Sequence, residues 1–588
     1  MKKSFIYGML AVVGATFASC NDFLDDNRWP LDVQSNNPAY WSNAVNVQGQ
    51  IDQIYNNFYG YGNTTGRNGT FYFESLNDDQ VGIWGSSVQF NNWSNLAVPG
   101  TSSVWNSTYT VLRHINSIIE GVESGSLANQ KQGLEFLGIA RLNRAWQYYD
   151  LVRHFGDVPL VLTVLDPSDD AALFGPRTPR NQVMDQVLED LNYALSNIST
   201  QSNKIAFSKD LAYAMKAEIC LYEASMAKYH QNDNTRANKF YNEVVSACQA
   251  LMDGRYELEP EYGTIYNSIW DAADGIPSLR TSKEVIFMKG YKQDVLQHSL
   301  VKYTNVGEIL GMSKDAFDSY LFLDGKPMSQ QTDKNDEGII PVYKIRQDDG
   351  TVSEVKGQLN IKHCLAARDK RLSATIDTCV FYVGYTWARP NGADMESTSG
   401  YGVKKFHQPK FNFTNATTDN KNYTCAPLYW LAEIYLAYAE AKAELGTITD
   451  ADLNISINKL FSRAGLPEQT IAGLNAISDQ ANNMNVSSLI WEIRRCRRCE
   501  LMFDKGQRYW DLVRWHQLEL LDNTKHPNVT LGANVKNAMA DHVVKATGNY
   551  MDIYQGTQRV FSEREYLFPL AVDQLNLNKQ LQQNPGWK

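Results

Sequence analysis

The sequence predicts a mainly α protein whose helical runs are separated by loop-rich, partly β stretches. Three observations predict this. Apolar residues recur at helical spacing over long segments, several of them rich in Ala. Leu489 to Trp515 reads as a helical hairpin: Leu489, Ile493, Cys496, Glu500 and Phe503 share one face, Gly506 interrupts, and Tyr509, Leu512, Val513 and His516 share the next. Two long stretches, 60–99 and about 253–425, are crowded with Gly, Asn and aromatics but carry little period.

Composition narrows the function classes. The chain has 588 residues and a net charge of −10, which argues against a nucleic-acid footprint, since that would be basic. A hydrophobic content of 43% is ample for a core. There are 32 Tyr and 13 Trp, many in Asn/Gly/Ser-rich stretches. The eight cysteines, at 20, 220, 248, 364, 379, 425, 496 and 499, are too scattered for a disulfide framework.

The N-terminus carries the strongest physical signal. Lys2 and Lys3 precede an apolar run from Phe5 to Phe17, and Ala18-Ser19-Cys20 follows. A charged start, a short apolar core and small residues describe a signal peptide over 1–19. The run is too short for a spanning helix, and no other approaches the length of one. Cys after Ala-Ser resembles a bacterial lipobox. Cys20 would then be the lipidated first residue, carrying palmitate-type acyl chains, and residues 20–43 would form a polar tether with Pro30 and Pro38.

The remaining elements follow in order. Ala44 to Tyr59 has helical spacing through Val47, Ile51, Ile54, Tyr55 and Phe58. Val104 to Val122 and Gln132 to Phe155 are helical, and Gly156 suits the position just past a helix, with Pro159 blocking continuation. Thr178-Pro179 opens a capped helix over Val183 to Ile198. Phe207 to His230 pairs with Phe240 to Met252, and Ala426 to Gly446 pairs with Leu453 to Ala464. Glu284–Phe287 and Ser373–Val383 are strand-like. Trp510 is expected inside the hairpin packing.

Several of these pieces together resemble one family. Ile493-Arg494, Glu500-Leu501, Arg508, Asp511-Leu512 and Arg514-Trp515 resemble the C-terminal hairpin of the SusD/RagB family, surface lipoproteins of Bacteroidetes that work with a TonB-dependent outer-membrane transporter. Arg141 to Val161, RLNRAWQYYDLVRHFGDVPLV, is similar to that family's first motif. Asn21 to Asp26, Tyr320 to Lys326, Arg368 to Leu372, Tyr566 to Leu570 and Gln583 to Trp587 resemble further landmarks, so the likeness runs from Cys20 to Trp587. Departures are Cys496 in place of Glu, Lys370 in place of Pro, and a longer Asp504-Lys505-Gly506 turn. The helix pairs look like tetratricopeptide repeats without a fixed period. The resemblance implies a SusD-like fold: a single domain over 44–588, with helical scaffold at 44–252 and 426–588 and a loop-rich insertion at 253–425.

Motifs for catalysis or metal are missing from the sequence. No His-Glu-x-x-His, Gly-x-Ser-x-Gly or phosphate-loop pattern occurs. Cys496 and Cys499 lie within a helix and read as buried small hydrophobes. Asp333 to Gly338 resembles half a calcium loop, but Lys344 stands where the bidentate carboxylate belongs. Asp78 and Asp79 are adjacent and would point apart, a poor acid/base pair for glycoside hydrolysis. No cofactor, no metal and no enzyme activity is expected.

Sugars present hydroxyl edges and weakly apolar C–H faces, so a receptor for them needs flat rings with Asn, Asp or Arg at the margins. The residues chosen on local context are Trp84, Trp93, Tyr291, Trp387 and Tyr401, with Asp79 and Asn91 as polar partners. The resemblance implies a lipid-anchored protein on the outer face of the outer membrane. It would capture an oligosaccharide and deliver it to a SusC-like TonB-dependent transporter, acting as its lid. Peptides are the alternative ligand. A lipid-anchored glycoside hydrolase and a structural adhesin are the readings from other classes.

Overall fold

The computed structural model describes residues 37–62, 77–81, 97–199, 204–305, 311–331, 343–346, 352–355, 358–377, 379–383, 386–388, 396–397, 399–411, 415, 418–535, 546–552, 554 and 556–588. Helices dominate them. The principal ones are α1 (Ala44–Ile54), α2 (Ser103–Ser124), α3 (Lys131–Phe155), α4 (Arg180–Asn197), α5 (Lys209–Tyr229), α6 (Asn234–Leu251), α7 (Leu431–Glu444), α8 (Ile457–Ala464), α9 (Ser488–Glu500) and α10 (Gln507–Arg514). Side-chain oxygens fix many of their starts: Ser102, Ser208, Asp233 and Ser487 accept from Trp105 N, Leu211 N, Arg236 N and Ile490 N.

Neighbours in sequence pack on one another: α2 with α3, α3 with α4, α5 with α6, and α6 with α7, which in turn meets α9. Small residues let α5 sit at the centre, where Ala212, Ala214, Ala217, Ala224 and Ala227 are fully buried. Helices α3 and α4 are tied by Arg144, whose Nε and Nη2 each lie 2.8 Å from a carboxylate oxygen of Asp190. Between them, Gly156 ends α3 at φ 73°, and its N–H donates to Val152 O. The α4 start differs from expectation. Pro179 offers no side-chain cap; Asp157 Oδ1, from the same Gly-Asp-Val-Pro turn, accepts from Arg180 N at 2.8 Å.

Three further boundaries differ. Residues 426–430 are a strand, not the start of a helix: β6 (Ala426–Trp430) pairs antiparallel with β1 (Val285–Lys289), with Ala426 opposite Lys289 and Trp430 opposite Val285. All residues of both strands are buried, so the apolar run serves the ladder before α7 begins. Residues 370–375 form a helical turn capped by Asp369, and the strand β3 (Cys379–Val383) starts only after it. Within the stretch expected to be a tether, residues 37–41 are folded. Asn37 caps a helical turn over Pro38–Trp41, and Trp41 is 1% exposed, because its large apolar ring finds a socket against α2.

The insertion carries a four-stranded antiparallel sheet in the order β2 (Gln358–Asn360), β3, β4 (Thr386–Ala388), β5 (Glu396–Ser397). One hydrophobic cluster runs from Trp41 to Leu581 and takes in both helical portions and insertion residues such as Tyr320 and Phe406. Among the described residues, no helix is long and apolar enough to cross a membrane. Residues 1–19, Cys20 and the Asp333 to Gly338 turn lie outside the described residues.

The socket for Trp41 generates a test. A Cβ on Gly121 would collide with the Trp41 indole. Gly121→Ala should therefore lower stability by ~1–3 kcal/mol despite alanine's better helix propensity, read as a fall in Tm. A Tm at or above wild type would mean that the socket has room to spare.

Candidate functional site

The α9–α10 hairpin forms as expected, and its arginines are buried. Arg498 Nε is 2.7 Å from Asp79 and its Nη1 2.7 Å from Asp315. Arg508 holds Asp78 through two bonds of 2.8 and 2.7 Å. Arg514 grips Glu440 at 2.5 and 2.8 Å, and Arg497 reaches Asp511 at 2.8 Å. Cys496 and Cys499 are buried free thiols. Trp510 is half-buried rather than enclosed: Arg153 lies 4.5 Å above its ring, and His154 meets it edge-on at 4.8 Å.

This network accounts for Asp79, which was read as a ligand acceptor and is 2% exposed. Burial pushes its carboxyl up to about 6 against the pull of Arg498. Burial also works against the charge of Asp78, but Arg498 and Arg508 together hold that group well below the usual range. Tyr291 and Tyr401 are core rings as well. Tyr291 is 1% exposed, with its hydroxyl against Tyr59 O and Gly62 O. Tyr401 is 2% exposed and stacks on Phe317 at 4.4 Å with 3° between planes. A Gly/Asn-rich neighbourhood suggested unshielded rings, whereas long-range packing shields them. Trp387 lies on β4, opposite Tyr382 in one ladder and Ser397 in the other. Trp84, Asn91 and Trp93 lie outside the described residues.

The structure instead brings together a cleft of about 370 Å³, within the range of small-ligand sites. Its floor is α3, which presents Trp146, Gln147, Asp150 and Arg153. Positions 146, 150 and 153 stand four and three residues apart, so they share one helix face. Asn57 and Tyr59, just past α1, form one rim, and Ser103, Val104 and Ser107 at the start of α2 form another. Tyr429 of β6, Glu218 of α5 and Lys505 of the hairpin turn close the far side. Tyr59 is 49% exposed, and Trp146 is half-buried with Phe58 stacked at 6.5 Å.

Charges in the cleft are held in place. Arg153 Nε and Nη2 both donate to Asp150 Oδ1, at 2.9 and 2.6 Å. Lys505 Nζ sits 2.5 Å from Glu433 Oε1 and 2.8 Å from Leu428 O. The turn that carries Lys505 is strained into shape, with positive φ at Phe503, Lys505 and Gly506. Asp504 pins it from below by bonds from Lys405 at 2.9 Å and Tyr266 at 2.7 Å. None of these cleft residues was picked out as a site by sequence. The available signal was the helical spacing of Trp146, Asp150 and Arg153, which lay inside a motif read as scaffold.

The model of the SusD family matches residues 278–587 of this chain. The chain belongs to the SusD family. A second model, described as starch-binding and associating with the outer membrane, matches residues 29–221. SusD-like proteins P38 and P2 of Formosa agariphila are each 24% identical to this SusD-family chain. P38 aligns over 70% of this chain and 71% of its own length; P2 over 83% and 80%. Among solved structures, a SusD-like protein of Bacteroides fragilis superposes with a TM-score of 0.66 at 22% identity, covering 95% of this chain and all of its own. A laminarin-binding SusD-like protein superposes with a TM-score of 0.53 at 19% identity, covering 92% and 99%.

One carboxyl beneath the cleft of this SusD-family chain titrates near neutrality. Burial pushes Glu433 up to about 7, Lys505 opposes the rise and the charge of Glu218 adds to it. A carboxyl raised on folding stabilises most below its ordinary value of 4.5, and that stabilisation is lost as pH climbs through about 7. Glu433→Gln should therefore flatten the decline of Tm across that window. Thermal melts in a pH series read it, and an unchanged slope would show that Glu433 stays ionised throughout.

Proposed function

We propose that the protein is a lipid-anchored, non-enzymatic receptor on the outer face of the outer membrane. It captures oligosaccharides and hands them to a SusC-like TonB-dependent transporter, for which it acts as a lid. The observation that carries the reading is the α3 cleft, where half-buried Trp146 and exposed Tyr59 sit beside amide, hydroxyl and carboxylate groups. Aromatic rings stack on the C–H faces of sugars, and the polar groups meet the hydroxyl edges. Similarity to proteins described as starch-binding and laminarin-binding supports the same ligand class. Trp84, Asn91, Trp93 and Trp387 stay as further proposed contacts.

The lining carboxylate Asp150 supports binding rather than hydrolysis. Asp150 is opposed by burial, but Arg153 and His154 hold it below the usual range, so it does not keep the proton a general acid must give. Burial raises Asp79, but its side chain is enclosed and bonded to Arg498.

Trp146→Ala should weaken oligosaccharide binding by ~1–3 kcal/mol, roughly ten- to a hundredfold, in a calorimetric titration. Unchanged affinity for a saccharide that the wild type binds would remove the cleft from the site. Cys20→Ala should shift the protein from the membrane fraction to the soluble fraction, since anchoring would then lack its acyl chains. Sedimentation of this variant with outer membranes after a salt wash would sink the anchor. Copurification with a large outer-membrane barrel tests the partner.

A further inference from the structure

We infer that the α3 cleft selects an uncharged stretch of oligosaccharide and discriminates against glycans bearing carboxylate or sulfate groups. The inference rests on reading the cleft as a glycan site and narrows its ligand class. Two cations, Arg153 and Lys505, and two carboxylates, Asp150 and Glu218, line the same cavity. Each is already engaged by the protein. Asp150 takes two of the Arg153 donors on one oxygen, and the guanidinium packs over the rings of Trp510 at 4.5 Å and Tyr149 at 5.1 Å. Lys505 is held by Glu433 and Leu428 O and lies 4.7 Å from the Tyr429 ring centroid. Glu218 accepts a hydrogen bond from the Tyr429 hydroxyl. Among the described lining residues, no cation stands without a carboxylate partner.

An incoming carboxylate or sulfate therefore meets cations whose charge is already balanced by Asp150 and Glu433, so it gains little attraction unless it displaces one of them and leaves a poorly solvated carboxylate unpaired. It also approaches Asp150 and Glu218, which repel it at close range. Uncharged hydroxyls need no displacement, because each both donates and accepts. Asn57, Gln147, Ser103 and Ser107 supply neutral groups of both kinds around the same rings. The cleft thus has aromatic faces and neutral polar edges with its charges locked between them.

The test titrates the full mature chain with size-matched panels: neutral gluco-, xylo- and manno-oligosaccharides against uronate-bearing and sulfated oligosaccharides. The expected result is that a neutral saccharide binds, that its affinity changes less than about twofold between low and high salt, and that Trp146→Ala weakens it. Tyr59→Ala, at the exposed rim, serves as a second variant if Trp146→Ala fails to fold. A charged saccharide that binds tighter than every neutral one, is weakened by either variant, and loses roughly tenfold or more as salt is raised would overturn the selectivity while leaving the glycan reading intact. Binding that neither variant weakens would move the site elsewhere and overturn the proposal. Failure of every saccharide to bind would sink the glycan reading, and the selectivity with it.

Discussion

The fold depends on a set of buried guanidinium–carboxylate pairs radiating from one hairpin. Arg494 reaches Glu444 at the end of α7, Arg497 reaches Asp511 within the hairpin, Arg498 reaches Asp79 and Asp315, and Arg514 reaches Glu440. Each of these arginines is less than a tenth exposed. Arg371 and Arg463 close on Glu500 from the other side. Breaking one such pair by removing a single partner typically costs about 3–5 kcal/mol, because the other charge is left stranded. The pairs are also directional. A planar guanidinium accepts few geometries, so they fix where residues 78–79, the 314–319 helix and α7 sit relative to α9.

That rigidity positions the cleft. The same hairpin turn that ends α9 offers Lys505 to the cavity and is braced from beneath through Asp504 by Lys405 and Tyr266. The floor comes from α3, whose exit is set by the Gly156 turn and whose Arg144 is clamped to α4. A binding surface assembled from α2, α3, α5, β6 and the turn needs all of them held together. The paired charges and the large shared core supply that constraint.

Much of this was legible in the sequence because it is local. Helical periodicity located α2 to α5 close to their observed ends, but ran α1 on to Tyr59 where it stops at Ile54 and started α6 at Phe240 where it begins at Asn234; Gly156 and Pro159 marked a real stop. The hairpin was visible in the spacing of Ile493, Cys496 and Phe503. What escaped was set by distant partners. Ala426 to Trp430 has a helix-compatible composition, yet its pairing with Val285 to Lys289 makes it a strand. The arginines of α9 find their partners Asp78, Asp79, Asp479 and Glu444 elsewhere in the chain. Tyr291 and Tyr401 sit among turn formers, so nothing nearby revealed that Tyr61 and Phe317 would cover them. The cleft itself joins segments hundreds of residues apart, and no window of sequence contains it.

The pairing of β1 with β6 has a consequence for how such a chain can change. The long excursion between them leaves the scaffold and re-enters it through two hydrogen-bonded neighbours, so its two ends stay at strand spacing, about 4.8 Å, whatever lies between. The entropy of closing such a loop grows only slowly with its length. Loops within residues 290–425 can therefore lengthen or shorten while the helices on either side keep their registration. The two strands act as a fixed socket, and the loops plugged into it are free to diversify as long as Asp315, Arg371 and Lys405 keep their partners on the hairpin.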